Sequence, residues 1–248
     1  MSTDQTLEDL RNALIQLTGS APLADRHMYR ITNRYKDVDF KGKRVLDIGG
    51  GLGLISYYAS IKGASAVVCL DPGDDGAIID LNAESMRLQQ AMKTDTVSFL
   101  PLKLQEYDPD GPLFDVIIMS SSINHIDEAA CERLPDDAGA RQSYREIFQQ
   151  IASMSKPDGR LLVSDVSPRN LYARLGVKNS FAPTIEWHKH QPPDVWIDLM
   201  AQVGYDDFKV RWLSLPRFGR FGEIALSNKL GAYAVNSAFM IDCVLRRK

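Results

Sequence analysis

The chain has 248 residues, 44% of them hydrophobic and 25% charged, with a formal net charge of −3. That length supports a sizeable core, and the mild acidity argues against a protein built to wrap nucleic acid, which shows a basic excess. No apolar run reaches the roughly 20 residues that span a bilayer, and the opening MSTDQTLEDLRNAL lacks the basic-then-apolar order of a secretory signal, so the expectation is a cytoplasmic protein with no membrane partner.

Thr6, with Asp9 three residues on, suggests a helix start, and Leu7, Leu10, Leu14 and Leu17 recur at helical spacing up to Gly19. Residues 1–40 therefore read as a helical cap whose apolar face offers a homodimer contact. From residue 44 the pattern becomes a strand over 44–47, a helix over 54–62 closed by Gly63, and a strand over 66–71, which is a βαβ unit. A helix over 78–92 and strands over 96–100 and 114–120 follow. Tyr144, Ile147, Phe148, Ile151 and Met154 line one face of the next helix, and Pro157-Asp158-Gly159 is expected to stop it before a strand over 160–166. A helix over 194–203 and strands over 208–213 and 238–245 complete the chain. Residues 167–193 and 215–236 are long for connections, as lids are. Alternating strands and helices need right-handed crossovers, so the fold is α/β, a mainly parallel sheet with helices on both faces. Cys69, Cys131 and Cys243 are widely spaced without a CxxC pair, and read as reduced and structural.

Between the strand over 44–47 and its helix, Asp47-Ile48-Gly49-Gly50-Gly51-Leu52-Gly53 turns through four glycines. A turn this tight needs residues without Cβ, and its exposed N–H groups can approach a ligand closely. The dinucleotide fingerprint G-x-G-x-x-G fits poorly, because its third small position falls on Leu54 counted from Gly49, or on Ser56 counted from Gly51. The spacing present is D-x-G-x-G-x-G, with a second acid, Asp71, closing the next strand. In these residues the chain resembles the class I S-adenosylmethionine-dependent methyltransferases, over roughly residues 40–167.

The resemblance implies a Rossmann-like fold with a seven-stranded, mostly parallel sheet. It implies one methyltransferase domain over 1–248: a helical cap (1–40), a cofactor-binding core (41–167), and substrate-facing insertions with closing strands (168–248). The cofactor would be S-adenosyl-L-methionine. Contacts to its methionine part would come from Asp47, Gly49, Gly50, Gly51 and Gly53, while Asp71 would take both ribose hydroxyls, since one carboxylate accepts two hydrogen bonds. Leu104 and Gln105 would flank the adenine, in a loop where Lys103 replaces the acid common in the family. Ser120 and Ser121, with Ser122, stand where the family's chain passes closest to the sulfonium.

A sulfonium methyl is already a good electrophile, so the protein chiefly aligns an acceptor and removes a proton from an oxygen. His125, within Ser122-Ile123-Asn124-His125-Ile126-Asp127-Glu128, is the first expected base, with Asn124 orienting the acceptor and Asp127 or Glu128 holding the imidazole. The alternative is that Asn124-His125 caps the following helix. In Glu186-Trp187-His188-Lys189-His190-Gln191, His188 and His190 are two apart and share one side of an extended chain. His188 is a second catalytic candidate, Asp165 at a strand end a third, and Trp187 a pocket wall. Two histidines with a carboxylate suit iron or zinc, but the spacing is loose, so no metal is expected. Arg174, Lys178 and Lys189 against Glu186, and Arg217, Arg220 and Lys229 against Glu223, make both insertions net basic, which suits an anionic acceptor. Phe218 and Phe221 suit an apolar or sugar-like surface. The expected activity is O-methylation of a small molecule, without a nucleic-acid partner. The alternatives are an N-methyltransferase on a small molecule or protein, and a NAD(P)-dependent Rossmann oxidoreductase.

Overall fold

The computed structural model describes residues 3–73, 81–109 and 111–246, and the chain divides into two compact units, Met1–Asp110 and Gly111–Lys248. The first opens with helices α1 (Thr3–Thr18) and α2 (Ala21–Arg34). α1 starts three residues before the cap expected at Thr6. α2 is a helix that the leucine periodicity does not show; the Ser20 hydroxyl accepts from the Leu23 N–H at 3.4 Å and Pro22 occupies its first turn. Leu10, Ala13 and Leu14 are buried, and α1 packs on α2, on α3 (Leu54–Ile61) and on α4 (Leu81–Met92). Of the apolar face read as a dimer contact, Leu10 and Leu14 are thus covered within this unit, while Leu7 and Leu17 are half-buried. The start of the helix expected over 78–92 lies outside the described residues.

Strands β1 (Arg44–Ile48), β2 (Ala66–Leu70) and β3 (Val97–Leu100) are parallel, with Leu46 beside Val68 and Val68 beside Ser98. α3 carries the crossover from β1 to β2 and packs on all three strands. Gly63, at φ +89°, releases the chain after α3 into β2.

The second unit holds β4 (Phe114–Ser120), β5 (Ser155–Val166), β6 (Tyr205–Trp212) and β7 (Ala238–Leu245). β4 and β5 are parallel, whereas β7 runs antiparallel to both β5 and β6. The seven strands form one mixed sheet in the order β3-β2-β1-β4-β5-β7-β6. Pro157-Asp158-Gly159 does not separate helix from strand as expected. The helix ends at Met154 and β5 begins at Ser155. The tripeptide is instead an irregularity inside the strand, where the pairing steps from Phe114 beside Ser155 to Val116 beside Arg160 and Asp158 adopts φ +59°.

α5 (Glu128–Arg133) and α6 (Ala138–Met154) follow β4, and α8 (Pro193–Ala201) precedes β6. The long insertions carry short helices of their own: α7 (Leu171–Leu175) and a 3₁₀ turn Trp187–Lys189 in the first, and a 3₁₀ turn Pro216–Phe218, α9 (Gly219–Leu226) and α10 (Lys229–Val235) in the second. Asn170 and Asn228 cap α7 and α10 by accepting from Ala173 and Gly231 N–H groups, each at 3.0 Å. Tyr172, Phe181 and Phe218 form a row of edge contacts at 6.1 Å spacing, and Asn179 Nδ2 donates to the Val235 carbonyl at 2.8 Å. These contacts join the two insertions. Phe221, by contrast, is exposed.

Trp196 of α8 is fully buried against Tyr144 and Phe148 of α6, at ring-centre distances of 5.1 and 6.4 Å. Its Nε1 has no hydrogen-bond partner among the described residues. Trp196→Phe removes a buried unpaired donor along with some volume, and is expected to cost less than ~1.5 kcal/mol, well below the ~3–5 kcal/mol of an aromatic-to-alanine change. Urea unfolding checks this; a loss near 3 kcal/mol would mean that the indole N–H is bonded. Among the described residues no helix is long and apolar enough to cross a membrane, and no group of three or more His, Cys, Asp or Glu side chains is placed to hold a metal ion.

Candidate active site

In the first unit the glycine turn is latched to the end of β2. The Gly49 and Gly50 N–H groups both donate to the Leu70 carbonyl, at 2.8 and 3.2 Å. The Gly51 N–H donates to Asp71 Oδ2 at 2.7 Å, and Asp71 Oδ1 accepts from the Gly73 N–H at 3.0 Å. Asp71 is thus a turn former, yet each carboxylate oxygen keeps a further lone pair for a ligand hydroxyl. Gly49, Gly51 and Gly53 all lie in the left-handed region, with φ of +66°, +56° and +72°. Their surroundings differ. A Cβ on Gly51 would meet nothing within 4 Å, so this side of the turn is open, whereas one on Gly53 would collide with the Phe99 ring. Gly50 faces inward, and a Cβ there would collide with the Cys69 sulfur and lie 2.9 Å from Asp47 Oδ2.

Asp47 is fully buried at the end of β1. Burial pushes its carboxyl up to about 6, against the hydrogen bond that the Ser56 hydroxyl donates to Oδ2 at 2.7 Å. Oδ1 has no partner among the described residues. A buried acid with an orphaned oxygen beside an open glycine turn fits a cationic ligand group, as the ammonium of S-adenosylmethionine is. After β3, Leu104 is buried and Gln105 exposed, in a 3₁₀ turn Leu104–Glu106. This loop does carry an acid, one residue beyond the Lys103-Leu104-Gln105 stretch where the family pattern places it: Glu106 Oε2 accepts from the Lys103 N–H at 3.0 Å.

In the second unit β4 ends at Ser120, whose hydroxyl accepts from Ser164 Oγ at 3.1 Å. Ser121 follows at φ +57°, its N–H donating to the Ser164 carbonyl at 2.7 Å. A non-glycine residue held in that region at a strand end is the kind of local strain that clusters at functional sites. The chain then makes a 3₁₀ turn Ile123–His125, fixed by the buried Tyr144 hydroxyl, which donates to the carbonyls of Ile123 (2.9 Å) and Asp127 (3.2 Å). Neither Asn124 nor His125 caps the next helix. Asp127 does, accepting from the Ala130 N–H at 2.9 Å.

His125 Nδ1 lies 2.6 Å from Glu128 Oε1, and Asn124 Nδ2 lies 3.4 Å from His125 Nε2. Glu128 Oε2 in turn pairs with Lys189 Nζ at 3.1 Å, and the same ammonium reaches Glu186 at 3.0 Å. The His125 hydrogen bond and the Lys189 charge hold the Glu128 carboxyl below its usual range. His188 and His190 do not share a face, because residues 187–189 are wound into the 3₁₀ turn. His188 is 64% exposed beside Glu132, 3.6 Å away. His190 turns inward, and its Nδ1 lies 2.9 Å from Asp165 Oδ1, with side-chain exposures of 14% and 1%. The segment is anchored on both sides of His190: Cys131 Sγ contacts the Lys189 carbonyl at 3.3 Å, and Gln191 Nε2 donates to the Cys131 carbonyl at 2.7 Å. Burial pushes the Cys131 thiol up to about 12, which disfavours the reactive thiolate.

The sheet order, the latched glycine turn and the acid closing β2 together define a Rossmann-like methyltransferase. Comparison with known proteins agrees. Residues 23–210 match the family model described as methyltransferase domain. The chain is 27% identical to the ubiquinone biosynthesis O-methyltransferase of Marinobacter nauticus over 192 residues, 75% of this chain and 73% of that protein. Among solved structures it resembles an S-adenosylmethionine dependent methyltransferase from Mesorhizobium loti (TM-score 0.57, 14% identity, covering 92% of this chain and 99% of that one). It also resembles the magnesium protoporphyrin IX methyltransferase of Synechocystis PCC 6803, solved with bound SAH (TM-score 0.53, 15% identity, covering 88% and 80%). The chain belongs to the methyltransferase domain family and is a class I S-adenosylmethionine-dependent methyltransferase. The nicotinamide-dependent alternative is thereby set aside.

Proposed function

We propose that this enzyme transfers a methyl group to an oxygen of a small-molecule acceptor, with a histidine–carboxylate pair taking the hydroxyl proton. S-adenosylmethionine, when bound, supplies a methyl on a positively charged sulfur. The first unit's residues hold it in this reading: Asp47 and the Gly49, Gly51 and Gly53 turn at the methionine end, Asp71 at the ribose, Leu104 and Gln105 at the adenine. Gly50 supports the turn from inside. In the same reading Ser120 and Ser121 leave space at the methyl. The observation that carries the oxygen assignment is the presence of two imidazoles, each held by a carboxylate through Nδ1, on the segments that follow β4 and β5 or pack against them. A neutral amine needs no base to attack a sulfonium methyl, whereas a hydroxyl gains from one. The relative from Marinobacter nauticus, an O-methyltransferase by name, supports the same reading.

The test offers purified enzyme and S-adenosylmethionine either 3,4-dihydroxybenzoate or 4-aminobenzoate, with mass spectrometry of the products. Methylation of the dihydroxy acid, faster by at least about tenfold, is expected. Methyl transfer to the amine alone would overturn the oxygen reading. Both probes carry a carboxylate, so replacing them with the corresponding methyl esters also tests whether the acceptor is anionic. Arg220→Ala and Lys229→Ala are expected to raise KM for the acid and leave KM for the ester unchanged; equal effects on both would remove the anionic assignment.

A further inference from the structure

His190 and Asp165 form a polar pair that neither the glycine turn nor the His125 motif foretells. Asp165 is the penultimate residue of β5, buried within the strand. Its Oδ1 faces His190 Nδ1, while Oδ2 has no partner among the described residues. A buried carboxylate costs free energy unless it is paired and hydrogen-bonded, and among the described residues its side-chain partner is a ring nitrogen. That contact puts the imidazole proton on Nδ1 and turns the lone pair of Nε2 away from the carboxylate. His125 is arranged differently: Nδ1 faces Glu128, and the Asn124 amide stands at its Nε2. Glu128 is also shared with Lys189, which draws its charge away from His125. Other charged or titratable groups around His190 are Glu128, Cys131 and Glu132 on α5, and Glu186, His188 and Lys189 on its own segment. Lys189 is saturated by Glu128 and Glu186, leaving Asp165 as the carboxylate against the ring.

We infer that His190, positioned by Asp165, is the general base of the methyl transfer, and that His125 holds the acceptor without taking its proton. The inference rests on the oxygen-acceptor reading above. Nε2 takes the hydroxyl proton as an oxygen lone pair forms the new C–O bond. The C–S bond breaks with its electron pair kept on sulfur, so the demethylated cofactor leaves as a neutral thioether and the acceptor as its methyl ether, with an imidazolium–carboxylate pair behind them. The proton then passes to solvent. Asp165 is a positioning residue: it fixes the tautomer and stabilises the imidazolium.

Two measurements decide the matter. In kinetics with 3,4-dihydroxybenzoate, His190→Gln is expected to lower kcat at least about a hundredfold. KM and calorimetric affinity for S-adenosylmethionine stay within about threefold of the parent, while His125→Gln chiefly raises KM. Asp165→Asn is expected to lower kcat and move the acid limb of the pH profile, because a carboxamide no longer stabilises the imidazolium; a merely structural change would lower activity without moving the limb. Unchanged kcat in His190→Gln, or a larger loss of kcat in His125→Gln, would overturn the assignment. Long-range 1H–15N NMR of the ring nitrogens needs no acceptor and separates this inference from the oxygen reading. A neutral His190 protonated at Nδ1 supports it, with the preference lost in Asp165→Asn. Protonation at Nε2 overturns it. If the parent methylates only the amine, the oxygen reading fails and the base assignment fails with it, whatever the tautomer.

Discussion

Gly53→Ala is expected to destabilise the first unit by about 2–5 kcal/mol and to abolish cofactor binding at ordinary concentrations, whereas Gly51→Ala loses the cofactor and keeps the fold. The two glycines sit in the same turn at nearly the same backbone angle, φ +72° and +56°. Holding a residue with a Cβ in the left-handed region costs about 1–2 kcal/mol at either position. At Gly53 the new methyl also meets the Phe99 ring, one atom of it at 2.5 Å. That ring packs on Tyr57 with centres 5.8 Å apart, so it cannot retreat without opening a core contact. Overpacking adds about 1–3 kcal/mol. A stability of about 5–15 kcal/mol for the whole chain makes such a loss conspicuous. At Gly51 the added methyl meets no protein atom within 4 Å, so the conformational cost stands alone. The methyl then occupies the open side of the turn, where the cofactor's methionine part is proposed to lie. Thermal unfolding with titration calorimetry separates the two effects. A Gly53→Ala protein that melts with the parent would show that Phe99 yields freely and that the turn is not built as argued.

Asp47→Asn is expected to be more stable than the parent at neutral pH and to bind S-adenosylmethionine at least about tenfold more weakly. The parent carboxyl titrates at about 6 in the folded state because it is buried, against 3.8 in the absence of the fold. Between those values the native protein holds a proton that the unfolded chain has released. Stability therefore falls as pH rises through this window, and above about 6 the loss is complete. An interval of about two pH units corresponds to about 3 kcal/mol. Asparagine carries no charge and still accepts the Ser56 hydroxyl, so its unfolding free energy should be flatter between pH 4 and 6.5 and exceed that of the parent by about 3 kcal/mol at pH 8. Denaturant titrations across that range check the sign. Parallel profiles would mean that Asp47 is solvated in the native state. The same charge is what a cationic cofactor would use, so the affinity of the parent should weaken as pH drops below about 6 while that of the variant stays level. Stability and binding are opposed at this residue.

The parts of the fold legible in the sequence are those with strong periodicity or obligatory backbone chemistry. The strands from β1 to β5 and β7 announce themselves as apolar runs, and the glycine turn as four residues without Cβ. The pattern does not distinguish α2, α7, α9 and α10: the last three have 5, 8 and 7 residues, too few to show a period, and α2, with 14, buries only Ala24 and Ile31. Of these, α2, α7 and α10 are set by a single capping Ser20, Asn170 or Asn228, whose residue type suits loops equally well. In the candidate site, Asp47 and Asp71 stand at strand ends, and strand ends can be read. His188 and His190 could not be told apart, because an extended segment and a 3₁₀ turn give opposite facing for residues two apart, and 187–189 is the turn. Asp127 holds the cap that the alternative reading gave to Asn124-His125 for a similar reason: a shift of two or three residues in a helix start decides which side chain meets the N–H groups. The pairing of His190 with Asp165 spans 25 residues and was set by the anchoring of its segment to Cys131, which no local pattern encodes.

The row Tyr172, Phe181 and Phe218, with the Asn179 amide on Val235, ties together two segments separated by α8 and β6. The two insertions are therefore expected to vary as a pair rather than piece by piece. Exchanging residues 167–193 for those of another methyltransferase would strand Phe218 and the Val235 carbonyl without their partners. Specificity grafts should succeed only when both insertions travel together, and natural variants should change at Phe181 and Phe218 in concert.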